Sequence, residues 1–168
     1  MPSKSLYAVF LLLLAACGGV RERAALCQKH FAPYADIVGD GPGDARSSSF
    51  GASMAHYREG RYAEAEQGLT EYINSRRDFQ RSALLYLAVS QLANGKPYEA
   101  ELSIDKLEHS NVKGFADQCG WYSVLCWLCS EQWERALEGA RAIAAAPRHT
   151  YKREAAALVG DLERFGTE

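Results

Sequence analysis

The sequence predicts an all-α fold: about three helix hairpins, with an N-terminal helical segment before them and a capping helix after them. Three observations carry that expectation. Side chains recur at helical spacing, most clearly Leu84, Leu87, Ala88 and Gln91, which fall at i, i+3, i+4 and i+7 and so share one helical face. Tight turn signals interrupt the periodic stretches. The best is Asn94-Gly95, which tolerates positive φ, followed by Lys96-Pro97, where proline stands at the first position of a new helix. Finally, a small residue recurs as Ala65, Ala100 and Ala136, at intervals of 35 and 36, with Tyr62, Pro97 and Trp133 three residues before each. One hairpin cannot bury both its faces, so the pattern asks for neighbours of the same shape.

At 168 residues, 48% hydrophobic and 24% charged, the chain suits one domain with a real core rather than a disordered one. A net charge of −2 and scattered Lys and Arg give no electrostatic reason to expect nucleic acid. Residues 1–16 read as an export signal. Lys4 precedes the apolar run Leu6–Leu14, and nine residues are too few to span a bilayer, which takes roughly 20. The sequence Leu14-Ala15-Ala16-Cys17 then closes the run. These four residues resemble the lipobox of bacterial lipoproteins at every position. The resemblance implies cleavage before Cys17 and acylation there, a stable anchor when more than one chain is attached. An ordinary signal peptide cut nearby and an uncleaved anchor are the alternatives.

Residues 17–23 follow as a tether, and 24–46 as an N-terminal helical cap and Gly-rich loop. Ala24–Val38 carries Leu26, Phe31, Tyr34 and Ile37, with Pro33 breaking the middle. Gly39–Asp44 is a loop but no phosphate cradle, since no Gly-Lys-Ser/Thr follows. Ser47-Ser48-Ser49 offers N-cap side chains to the next helix. The hairpin domain spans 47–168, with repeats over about 47–79, 81–110 and 117–147. Its helices are expected over Phe50–Arg58 and Tyr62–Asn74, over the two halves of Arg81–Leu107, from Asp117 as cap to Cys129, and over Trp133–Ala146. Pro147 ends the last of these, and the capping helix occupies 151–165.

The pieces Glu59-Gly60-Arg61-Tyr62-Ala63-Glu64-Ala65, Asn94-Gly95-Lys96-Pro97-Tyr98-Glu99-Ala100 and Glu131-Gln132-Trp133-Glu134-Arg135-Ala136 resemble the turn and second helix of the tetratricopeptide repeat, whose period is 34. The small position of the first helix is filled by Ser53, Ala88 and Val124. Two departures fall in the third repeat: Glu131 replaces the turn glycine, and Val124 is larger than the family prefers. The resemblance implies a right-handed α-solenoid whose first helices line a concave groove. It places Phe50, Met54, Tyr57 and Arg58 there from the first repeat, Leu85, Val89 and Leu92 from the second, and Trp121, Leu125 and Leu128 from the third. Ser47, Ser82, Ala93, Gln118 and Cys129 complete the lining. The segment Phe31-Ala32-Pro33-Tyr34-Ala35-Asp36 also resembles one that repeat-containing membrane proteins of the Bacteroidetes place before their first repeat.

No catalytic constellation emerges, so no enzyme and no cofactor are expected. His30, His56, His109 and His149 stand far apart without metal-ligand spacing. Cys126 and Cys129 form a Cys-x-x-Cys near the end of a helix, not at the N-terminus where the dipole would activate a thiol. Packing in a helix interface is the first reading for Cys119, Cys126 and Cys129. A structural disulfide is the second, and Cys27 becomes a partner for one of the three if the N-terminal segment packs there. Redox catalysis is the third.

What remains is an apolar stripe suited to a partner's helix or peptide, unless Ala24–Val38 covers it. The expectation is a non-enzymatic protein-protein interaction scaffold of the bacterial envelope, lipid-anchored at the periplasmic face of the outer membrane. A single-pass membrane protein with a periplasmic sensor domain is the alternative.

Overall fold

Pro33 limits the first described helix. The computed structural model describes residues 25–37, 49–110 and 114–166, with side chains to residue 164. The signal at 1–16, Cys17, the tether, the loop from Gly39 and the Ser47-Ser48 pair lie outside the described residues. Helix α1 is described over 25–30, and its last backbone bond runs from Phe31 N–H to Cys27 C=O at 2.9 Å. Residues 31–37 carry no regular structure. The cause is local: the residue before a proline is driven out of the helical region, and proline itself has no N–H to donate.

Seven helices follow: α2 (Ser49–Arg58), α3 (Tyr62–Ser75), α4 (Ser82–Ala93), α5 (Pro97–Glu108), α6 (Ala116–Cys129), α7 (Trp133–Ala145) and α8 (Lys152–Gly166). Among the described residues the fold is all-α, with no strand. Helix limits fall within a residue or two of the expected ones. Asp117 is the exception in role. Phe115, not Asp117, is the N-cap of α6, and it makes no side-chain cap bond. The Asp117 carboxylate instead accepts the Thr150 N–H at 2.8 Å and the Thr150 hydroxyl at 2.7 Å, ahead of α8. Those two hydrogen bonds hold its carboxyl below the usual range, against a small opposing effect of burial.

The three hairpin turns share one hydrogen-bond pattern. Gly60, Gly95 and Glu131 sit at φ values of 72°, 72° and 62°. Their N–H groups bond back to Tyr57, Leu92 and Leu128 carbonyls at 3.0, 3.0 and 3.2 Å. The next N–H groups, of Arg61, Lys96 and Gln132, reach His56, Gln91 and Trp127 at 2.9, 2.8 and 2.8 Å. This is the doubled bonding that closes a helix on a left-handed residue. Each following helix then opens with a bond from Ala65, Ala100 or Ala136 to the carbonyl of Arg61, Lys96 or Gln132.

Each helix from α2 to α8 packs on the next, and α2–α4 and α4–α6 also touch. Helices α2, α4 and α6 therefore share a layer, with α3 and α5 packed between its successive members. Helix α4 lies at the centre, every residue from Ala83 to Leu92 being buried, as an all-round apolar helix requires. Its polar Gln91 is satisfied by the Ser103 hydroxyl at 2.8 Å.

Ala65, Ala100 and Ala136 are fully buried. Three residues after each stand Gly68, Ser103 and Gly139, also small. Gly139 explains how the third hairpin accommodates Val124. A Cβ there would lie 2.7 Å from Val124 Cγ2 and 2.7 Å from Trp127 Cζ3. The extra bulk on α6 occupies space that α7 leaves open.

Candidate functional site

Residues 31–37 run across the layer formed by α2, α4 and α6. A backbone without regular structure must find partners for its polar groups, and three tyrosines supply them. The hydroxyl of Tyr122, on α6, donates to Ala32 C=O at 2.9 Å. That of Tyr57, on α2, donates to Tyr34 C=O at 2.7 Å. The Tyr86 hydroxyl, on α4, accepts the Ile37 N–H at 3.0 Å and donates weakly to Ala35 C=O at 3.5 Å. Burial, with smaller contributions from neighbouring phenols, pushes the Tyr57 and Tyr122 hydroxyls far above the ordinary tyrosine range. They remain neutral donors at any physiological pH.

Side chains seat the same strap. Phe31 and Tyr34 pack against the core. The Tyr34 ring lies 5.9 Å from Tyr86, which in turn meets Tyr57 edge-on at 5.1 Å. Both ends are pinned by charge. Asp36 pairs with Arg58 at 2.9 Å. At the other end Asp161, buried on α8, meets Lys29 Nζ at 2.6 Å and His30 Nε2 at 2.7 Å, and also contacts Arg164. Burial alone would raise the Asp161 carboxyl. The hydrogen bonds and charges of Lys29 and His30 outweigh it and hold the group below its ordinary value. Finally, Cys27 is bonded to Cys129 at the end of α6, closing a separation of 102 residues.

This arrangement corrects the expected open groove. Phe50, Met54, Tyr57, Leu85, Val89, Leu92, Trp121, Leu125 and Leu128 are all at most 5% exposed and belong to one core cluster. Arg58 alone of the ten reaches the surface, where it holds Asp36. The stripe is core because neighbouring helices bury it and the strap lies over it. Of the apolar residues expected to cover the groove, Leu26, on α1, is buried but Ile37, in the strap, is 62% exposed. Coverage comes from a backbone clasped by hydroxyls more than from an apolar helix.

Sequence reasoning missed Tyr86, Tyr122 and Asp161. A signal existed for the first two, which stand 36 residues apart at the same point of successive hairpins, where the first hairpin has Gly51. Asp161 gave none, since its partners Lys29 and His30 are more than 130 residues away. Among the thiols, Cys119 and Cys126 are free and buried. Burial, with some repulsion from Glu108, pushes the Cys119 thiol up to about 12, and burial raises Cys126 as well. Neither is a poised nucleophile, and Cys126 is not paired with Cys129. Among the described residues there is no cluster of metal-binding side chains and no helix long and apolar enough to cross a membrane. No family model, curated protein or solved structure matches the chain.

Proposed function

We propose that this protein is a non-enzymatic interaction scaffold of the bacterial envelope, anchored by lipid at Cys17, with a tetratricopeptide-like right-handed array as its working part. The observation that carries the reading is the tyrosine clasp: three hydroxyls, one from each hairpin's first helix, bonded to a non-helical segment through its backbone. Backbone bonds give affinity with little demand on sequence, and pockets for alternate side chains add selectivity, which is how peptide-binding surfaces work. The three equivalent turns favour an array of like hairpins. A disulfide between Cys27 and Cys129 favours an exported protein, because such bonds persist in oxidising compartments. The lipobox favours the periplasmic face of a membrane, the outer membrane by the resemblance.

The test combines fractionation with in-cell crosslinking. Wild type is expected in the membrane fraction with a reproducible protein partner. Cys17→Ser is expected to stay an uncleaved precursor. Normal maturation of that variant removes the lipid tether, and a wild-type chain that captures no partner removes the scaffold reading.

A further inference from the structure

We infer that the Cys27–Cys129 disulfide is a latch: it keeps residues 31–37 seated as a tethered occupant of the tyrosine-lined face, and its reduction by a dithiol frees that face for a peptide of the same chemistry. This rests on the reading of the face as a peptide-binding surface. The occupant is specified by what the strap offers: aromatic side chains at its first and fourth positions, as at Phe31 and Tyr34, a proline between them, and an acid at the sixth, as at Asp36.

The remaining attachments of the strap are non-covalent, and most of its residues lie at the surface. Ala32, Pro33, Ala35 and Ile37 are exposed, and Phe31 and Tyr34 are only half-buried. The Lys29 side chain that reaches Asp161 is 58% exposed and the Arg58 side chain that reaches Asp36 is 39% exposed, so water screens one partner of each ion pair, while the buried His30–Asp161 contact and the tyrosine hydroxyls hold the strap reversibly. With the covalent bond intact, Cys27 is held at the end of α6 four residues before the strap begins, which keeps the strap's effective concentration at the face high, and any competing peptide faces an occupied site. With it broken, the strap is a peptide on a linker, and its occupancy becomes a matter of effective concentration that a second ligand can contest.

The latch is also the reachable sulfur chemistry of the described domain. Cys27 and Cys129 are both partly exposed, whereas Cys119 and Cys126 are buried. Opening is a thiol–disulfide exchange. A thiolate of the dithiol attacks one bridge sulfur, forming a mixed disulfide and releasing the other cysteine as thiolate, which takes up a proton. The second thiol of the reagent then displaces the remaining cysteine. The two cysteines gain two electrons and two protons, and the dithiol leaves as its own disulfide.

The experiment uses the full-length chain purified from membranes, in oxidised form, after treatment with dithiothreitol, and as Cys27→Ser. Amide exchange is followed over residues 31–37 and over α4 and α6, and a fluorescent peptide of sequence Phe-Ala-Pro-Tyr-Ala-Asp-Ile is titrated by anisotropy. Opening the latch is expected to speed exchange at Ile37 by about tenfold or more while α4 and α6 remain protected. The peptide should bind the reduced and Cys27→Ser chains, not the oxidised one, and binding should weaken with Arg58→Glu. A strap as protected after reduction as before overturns the latch. So does an opened chain that binds no peptide, or one in which α4 and α6 lose protection together with the strap. A partner crosslinked equally to oxidised and reduced chains leaves the scaffold reading standing and sinks the latch alone.

Discussion

Glu131 holds a backbone conformation that an L side chain disfavours. It is the only non-glycine residue at positive φ among those described, and it does the work of Gly60 and Gly95 in the other two turns. The left-handed region costs a residue with a Cβ about 1–2 kcal/mol, partly offset by the greater freedom a glycine loses on folding. Glu131→Gly is therefore expected to stabilise the protein by about 1 kcal/mol, read as a rise of a few degrees in calorimetric midpoint. Asp161 carries the residue-scale pH dependence. Its carboxyl titrates lower in the folded chain than in the unfolded one. Its contribution is therefore complete above the unfolded value of about 3.9 and is lost as pH falls through the lower folded value. Asp161→Asn should lower stability by about 1–3 kcal/mol at neutral pH. It should also flatten the acid limb of a plot of urea midpoint against pH. An unchanged acid limb would mean that this carboxylate does not hold the strap.

Between helices α6 and α7 the fit depends on the absence of a side chain at Gly139. An added methyl gains about 1 kcal/mol in helix propensity. It also lies 2.7 Å from atoms of both Val124 and Trp127, and overpacking of this kind costs about 1–3 kcal/mol. Val124 is branched at Cβ and cannot swing away. Gly139→Ala is expected to be net destabilising, and Val124→Ala is expected to cost less in that background than in the wild type. A double-mutant cycle in denaturant gives the coupling directly, and additivity would show that the two side chains do not compete. The small residues at Gly68 and Ser103 occupy the same place in the earlier hairpins, so close helix approach is a repeated device here.

Across the whole molecule, the strap joins parts that a chain of nearest-neighbour hairpins leaves apart. It ties α8 to α1 through Asp161, the end of α6 through Cys129, and α2 through Arg58. An array of hairpins alone behaves as a nearly one-dimensional stack that can fray from its ends, whereas here α8 is tied back to α1. Loss of a native disulfide typically costs about 2–5 kcal/mol. Cys129→Ser should lower the thermal midpoint accordingly while the far-UV spectrum stays helical. A midpoint equal to wild type would mean that the bond is not part of the protein's stability.

By itself, the sequence determined the helices, their limits and the equivalence of the three turns, because each depends on groups only a few residues apart. Gly60, Gly95 and the oddity of Glu131 are legible in a window of seven residues, and the period-3.6 pattern of α4 in a window of twelve. Pro33 likewise announces where α1 stops. The apolar stripe from Phe50 to Leu128 was legible as a stripe but not as core, since periodicity reports which side chains share a face and not what lies over it. Only the tertiary structure decided that the N-terminal segment lies there, held by Tyr57, Tyr86, Tyr122 and Asp161. Those contacts join residues between 23 and 132 positions apart. Such pairings are set by the packing of the helices in space, and no local pattern in the chain encodes them.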